Sequence, residues 1–128
     1  MKKIILITGA TAGIGKATAE LYAKNNWKII LTGRRAERLL ALKKQLISEF
    51  SAEVITLNFD VRDKEAVSGA INSLPSDWKN IHVLLNNAGL AKGFSDIQDG
   101  SIEDWETMID TNIKGLLYVS KAIMPLMI

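Results

Sequence analysis

Short apolar runs rich in β-branched residues alternate with segments of helical spacing along the whole chain, and this alternation restricts the fold more than any other feature. "KIILIT" at 3–8, "KIILT" at 28–32, "EVITLNF" at 53–59 and "IHVLLNN" at 81–87 read as four strands, the first apolar enough to be covered on both faces. From Ile14 the spacing turns helical, with Ile14, Ala17, Thr18 and Leu21 on one stripe, until "NNW" at 25–27 ends it. "RAERLLALKKQLISEF" at 35–50 predicts an amphipathic helix that turns Leu39, Leu42, Leu46 and Ile47 inward. Asp63 is placed to cap a helix over 64–73, and "SLPSDWKN" predicts a turn. After the fourth strand, a Gly-containing loop leads to a helical region from about Ile102 to the end.

Strands and helices alternating at this spacing imply right-handed βαβ units and a parallel sheet. The expected fold class is α/β: a Rossmann-type sheet ordered 3-2-1-4 with helices on both faces, the N-terminal half of a doubly wound fold. No internal repeat, low-complexity segment or linker divides the chain, so residues 1–128 read as one domain.

Composition removes several classes of function. With 48% hydrophobic and 23% charged residues over 128 positions, the chain has the make-up of a soluble globular domain able to bury a sizeable core. A net charge of +2 is too weak to point to nucleic acid or an anionic membrane. The absence of cysteine excludes a disulfide framework and a thiolate metal site, and a single histidine excludes an imidazole cluster, so no metal is expected. The opening "MKKIILITGA" imitates a signal peptide, but its apolar run breaks at Thr8-Gly9, short of the roughly 7–15 residues such a segment needs. No stretch reaches the ~20 apolar residues of a membrane span; the terminal "GLLYVSKAIMPLMI" is interrupted by Lys121 and Pro125. The plain expectation is a cytoplasmic protein.

Between the first strand and the first helix lies "TGATAGIG" (8–15), whose amides and helix dipole form a site for an anion, most often phosphate. A P-loop needs G-x-x-x-x-G-K-[ST]; here five residues separate Gly9 from Gly15, and Ala17 stands where the magnesium-binding hydroxyl belongs. The dinucleotide fingerprint G-x-G-x-x-G is not met as written either, since the spacing is G-x-x-x-G-x-G. Its physical roles transfer nonetheless: Gly9 for a tight exit from the strand, Gly13 for approach of a pyrophosphate, Gly15 for packing of helix on sheet. Gly9, Ala10, Thr11, Ala12, Gly13, Ile14 and Gly15 are therefore candidate cofactor contacts. The alternative is a Gly-rich turn without a ligand.

"TGATAGIG", "DV" (60–61), "NNAG" (86–89) and Asn112 in "DTNIKG" together resemble the short-chain dehydrogenase/reductases, in that family's order and spacing. The resemblance runs over the whole chain and covers the N-terminal half of the family's fold. Within the family, "TGRRAERL", "SLPSDWKNI", "LLNNAGLAKG" and "IEDWETMIDTNIKGL" are similar to the bacterial NADP-dependent 3-hydroxy acid dehydrogenases. That likeness implies serine, allo-threonine and related β-hydroxy acids as the substrate class.

The end of the second strand discriminates between cofactors. An NAD enzyme places a carboxylate there for the ribose 2′-hydroxyl, whereas this chain reads "LTGRR" with no acid before Glu37. Arg34 and Arg35 offer planar, permanently charged forks suited to the 2′-phosphate of NADP. The alternative, two solvated arginines, would set two cations beside the positive end of a helix dipole with no anion to join them. The resemblance further implies that Asp60 accepts from the adenine amino group while the Val61 backbone flanks that ring. It also implies that Asn87 contacts the ribose region and that Ala88 and Gly89 admit the nicotinamide side. Asp60 could also serve as a turn former, and the two uses are compatible. In the family the asparagine matching Asn112 loosens its helix and holds a water of the catalytic proton relay. Such a role would explain a residue that is otherwise mildly unfavourable inside a helix. Asn86 reads as structural, tying the fourth strand to its neighbours. His82 reads as a partly exposed strand residue where the family often has aspartate, and Trp27, Trp78 and Trp105 read as packing anchors.

The family's chemistry also needs a tyrosine acid/base, a lysine four residues later and a substrate-positioning serine. Tyr22 is followed at that spacing by Asn26 and Tyr118 by Ala122, with Lys121 one residue early. An unassisted tyrosine, with a pKa near ~10, is a poor proton donor or base at neutral pH. Two functional classes therefore stand: an NADP-dependent oxidoreductase of which these residues are the first half, or an NADP-binding half-domain that is inactive alone. Either way the fourth strand would offer an open apolar edge and the last helix an uncovered face, so homo-oligomers or strand exchange are expected.

Overall fold

The computed structural model describes residues 2–11, 13–89 and 97–128. The chain order is β1 (Ile4–Ile7), α1 (Gly13–Lys24), β2 (Lys28–Gly33), α2 (Ala36–Phe50), β3 (Val54–Asn58), α3 (Lys64–Asn72), β4 (Val83–Leu85), α4 (Ile102–Ile109) and α5 (Leu116–Met127). Short 3₁₀ turns lie at Ser76–Trp78 and Ile97–Asp99, and a π-helical segment, Asp110–Gly115, joins α4 to α5. All pairings among the four strands are parallel, in the order β3-β2-β1-β4. This is the expected Rossmann-type topology.

Strand alternation divides the core in two. Ile4, Leu6 and Ile30 point to one face, where they meet Val67 and Ile71 of α3 and Val119 and Ile123 of α5. Ile5, Ile7, Ile29 and Leu31 point to the other and pack on Ala19 and Ala23 of α1 and Leu39, Leu42 and Leu46 of α2. A central strand apolar at every position is what two covered faces demand. Asp63 caps α3 as expected, its Oδ1 accepting from the Ala66 amide at 3.1 Å.

Two expectations, for Ile47 and His82, require correction, and α1 turns inward a face that its spacing alone left open. In α1 the buried residues are Gly15, Ala19 and Ala23, whereas Ile14 is 72% and Leu21 58% exposed. The small residues, spaced by four, let this helix lie against the sheet, and the bulkier stripe is turned outward. In α2 Leu39, Leu42 and Leu46 are buried but Ile47 is 44% exposed, being one residue, about 100°, past the buried line. His82 precedes β4 instead of belonging to it: its amide donates to the Ile4 carbonyl (2.9 Å) and its Nδ1 accepts from the Ile4 amide (3.1 Å). Among the tryptophans, Trp78 is buried beneath the Lys28 ammonium, 4.1 Å from the ring, while Trp105 covers Gly100 and keeps one side in solvent. The terminal helical region is also not one α-helix, because the π-helical segment interrupts it. No helix of the described residues is long and apolar enough to cross a membrane.

Candidate functional site

Parallel strands deliver their C-terminal ends to one edge, and the segments leaving them are bound to one another. Gly9 leaves β1 with φ +61°, and a Cβ on it would lie 2.9 Å from Ala88 Cα, so the segment after β1 and the segment after β4 touch backbone to backbone. The buried Thr8 hydroxyl accepts from the amides of Asn87 (3.0 Å) and Ala88 (2.9 Å), and Asn87 Nδ2 donates back to the Gly9 carbonyl (3.1 Å). The second corner is tied in the same manner. Ala10 N–H donates to the Thr32 carbonyl (3.2 Å), Thr32 Oγ1 donates to the Ile7 carbonyl (3.1 Å), and Asn58 Nδ2 donates to the Gly33 carbonyl (2.9 Å).

These segments enclose a cleft of about 430 Å³. Of the sequence-predicted residues, Gly9, Thr11, Gly13, Ile14, Arg34, Arg35, Asp60, Val61, Asn87, Ala88 and Gly89 line it. Ala10 does not: it is fully buried and its amide is committed to Thr32. Gly15 lies behind the lining, where a Cβ would come within 2.7 Å of Asn87 Nδ2. Ala12 is outside the described residues. Asn112 is set beside the cleft wall, its Oδ1 3.2 Å from where a Gly89 Cβ would be. Asn86 ties the β4 exit to α5, donating through Nδ2 to Ser120 Oγ at 3.0 Å. Tyr118 and Lys121, on α5, are not part of the lining.

The second corner is cationic. Arg35 occupies the N-cap of α2 without a side-chain capping bond, and Arg34, Arg35 and Arg38 all line the cleft. Among the described residues none of the three makes an ion pair. Arg38 was missed from the sequence, although its spacing of three from Arg35 sets both on neighbouring turns of one helix face.

Asp60 at the third corner is less open than an isolated acceptor. Arg62 closes on it, Nη2 to Oδ2 at 2.7 Å and Nε to both oxygens at 3.1 Å, while the Arg62 amide donates to Oδ1 at 3.0 Å. These bonds, with a smaller contribution from the Arg34 charge, hold the Asp60 carboxyl below its ordinary value of 3.8 against the opposing effect of burial. The clamp was also missed: Arg62 follows in "DVRD", yet only the turn brings its guanidinium back onto the carboxylate. Thr32, Gly33, Phe59 and Thr111 complete the lining with no signal in the sequence beyond their neighbours.

The arrangement suits a long anionic ligand. It offers a backbone-lined loop with Gly9 and Gly13 at positive φ, three unpaired arginines, and a fixed carboxylate at the far corner. Residues 3–128 match the family described as short chain dehydrogenase. The chain is 50% identical over 125 residues to the NADP-dependent 3-hydroxy acid dehydrogenase YdfG of Salmonella typhi, a match covering 98% of this chain and 49% of that protein. It is 48% identical over 128 residues to the serine 3-dehydrogenase of Rhizobium radiobacter, covering all of this chain and 50% of that one. The solved closed form of a serine dehydrogenase complexed with NADP⁺ superposes with a TM-score of 0.86 at 46% identity, over 96% of this chain and 48% of that one. The chain thus spans about half the length of these relatives.

Proposed function

The chain belongs to the short chain dehydrogenase family, and from that premise we propose that its residues form the NADP-binding half of an oxidoreductase acting on a hydroxy or keto substrate, with 3-hydroxy acids as the substrate class. The carrying observation is the β2–α2 corner: Arg34, Arg35 and Arg38 line the cleft without ion-pair partners among the described residues, and no carboxylate stands there to hold a ribose 2′-hydroxyl. When bound, NADP(H) supplies the hydride donor or acceptor.

The residues of the chain do the rest of the binding work. Gly9, Thr11, Gly13 and Ile14 border the pyrophosphate, and the arginines neutralise the 2′-phosphate. Asp60, kept ionised by Arg62, accepts from the adenine amino group, beside Val61. Asn87, Ala88 and Gly89 carry the ribose and nicotinamide side, with Asn87 held in place by its bond to Gly9. Ala10 and Gly15 act from beneath, by keeping the loop and helix against the sheet. Asn112, in the π-helical segment beside Gly89, holds the water that links to a proton relay. The chain contains no tyrosine with a lysine four residues on, so this polypeptide alone binds cofactor and does not turn over. It also self-associates. The outer edge of β4 has no partner strand among the described residues, and Ile109, Ile113, Leu116 and Leu117 expose apolar surface.

Calorimetric titration with NADP⁺ and with NAD⁺ tests the reading. Saturable binding that prefers NADP⁺ is expected. Equal affinity for the two would remove the arginine corner from the argument, and binding of neither would remove the cofactor.

A further inference from the structure

Thr111 is only 7% exposed, and its Oγ1 is the one buried side-chain polar atom among the described residues that has no hydrogen-bond partner. The other buried threonines are satisfied, Thr8 at the β4 exit and Thr32 at the Ile7 carbonyl. A helical threonine commonly returns its hydroxyl to a carbonyl one turn back, as Thr107 does to Glu103 at 2.9 Å. Thr111 does not, and it sits in the π-helical segment, where the regular ladder is shifted. A buried hydroxyl with no partner destabilises the fold that keeps it.

Its position suggests what the partner is. Thr111 lines the cleft together with Phe59, Asp60, Val61, Ala88 and Gly89. Four residues on, Gly115 meets Val61, whose Cγ2 would be 2.5 Å from a Cβ there, so this segment lies against the third corner of the site. Asp110, the preceding residue, adds to the field that supports the charge of Arg62, the group that clamps Asp60. Thr111 is therefore at the Asp60–Val61 end. Its hydroxyl and methyl share one Cβ, so rotation between staggered wells exchanges them at the cleft wall.

We infer that Thr111 is a further cofactor-binding residue, whose hydroxyl stays unpaired within the fold because the adenosine half of the dinucleotide supplies its hydrogen-bond partner. The inference rests on the NADP reading above. Thr111→Val replaces the hydroxyl by a methyl at nearly constant shape, and Thr111→Ser keeps the hydroxyl. The measurements are thermal unfolding without ligand and calorimetric titration with NADP⁺ and with 2′,5′-ADP, which carries only the adenosine end. Thr111→Val is expected to unfold at a higher temperature than the parent yet bind both ligands roughly 3- to 10-fold more weakly, the loss of one hydrogen bond. Thr111→Ser should bind within about 2-fold of the parent, on the same scale. Unchanged affinity in Thr111→Val overturns the inference and leaves the NADP reading intact. A loss for NADP⁺ without one for 2′,5′-ADP overturns the adenosine assignment, and equal losses in both variants trace the effect to packing and overturn the role of the hydroxyl. A parent chain that binds neither ligand overturns the NADP reading and this inference with it.

Discussion

The two corners that meet on the central strands are held in opposite ways. The glycine loop after β1 is fixed by backbone: its carbonyl at Gly9 and its neighbour Thr8 are bonded to the β4 exit, and there is no room for a side chain at Gly9 or Gly15. The arginine corner after β2 is fixed only at its base, through Thr32 and Gly33, while Arg34, Arg35 and Arg38 extend into solvent without partners among the described residues. One corner supplies shape and is inseparable from the fold. The other supplies charge and can be changed without touching it. Selectivity between cofactors can therefore vary on a constant scaffold.

The largest expected effect breaks the first corner. Gly15→Val places side-chain atoms where even a Cβ would be 2.7 Å from Asn87 Nδ2, so α1 must move off the sheet. Destabilisation of about 3 kcal/mol or more and loss of NADP⁺ binding are expected, read by denaturant unfolding and calorimetry. Retained stability would mean that α1 can shift off the sheet at little cost.

Next comes the second corner. Arg34→Ala and Arg35→Ala should each weaken NADP⁺ binding by about 1.5–3 kcal/mol, the scale of a hydrogen bond to a charged group, and leave NAD⁺ affinity nearly unchanged. The unfolding midpoint should not move, since neither side chain packs in the core. Arg38→Ala should follow with a smaller loss.

A smaller effect lies at Asp60. Its carboxyl is held below 3.8, first by the Arg62 side-chain bonds, so its contribution to stability is present above the ordinary carboxylate pKa and disappears as the pH falls through the folded value. Asp60→Asn should therefore lower the unfolding midpoint slightly at neutral pH, by a difference that shrinks away below about pH 4, so that the acid side of the midpoint-versus-pH profile flattens. The smallest effect is expected at Ile47→Ser in α2, about 1 kcal/mol or less in the monomer, because this residue is only half-buried. A larger loss would place Ile47 in an interface between copies, which light scattering would register as a change in mass.

The comparison of corners also explains what could be read in advance. Strand order, the parallel sheet, the Asp63 cap and the buried line Leu39–Leu42–Leu46 follow from spacing, because alternation and helical period map directly onto faces. The inward face of α1 did not follow: the helical spacing marks a stripe with Ile14 and Leu21 but does not say which face is buried, and close packing on the sheet buries the small residues Gly15, Ala19 and Ala23. Likewise the loop residues were legible as a set, but their division into lining and support was not: Ala10 is adjacent to Thr11 in sequence and faces the opposite way.

By itself the sequence determined an α/β chain with a glycine-rich turn after its first strand and paired arginines after its second, because these depend on local period, backbone freedom and charge. Only the tertiary structure decided that Arg38 joins the arginines and that Arg62 returns onto Asp60. It alone placed Thr111, 102 residues after Gly9 in the chain, on the same cleft with its hydroxyl unpaired. Such contacts join positions far apart in sequence or depend on how a side chain folds back, and a pattern read along one dimension carries no term for either.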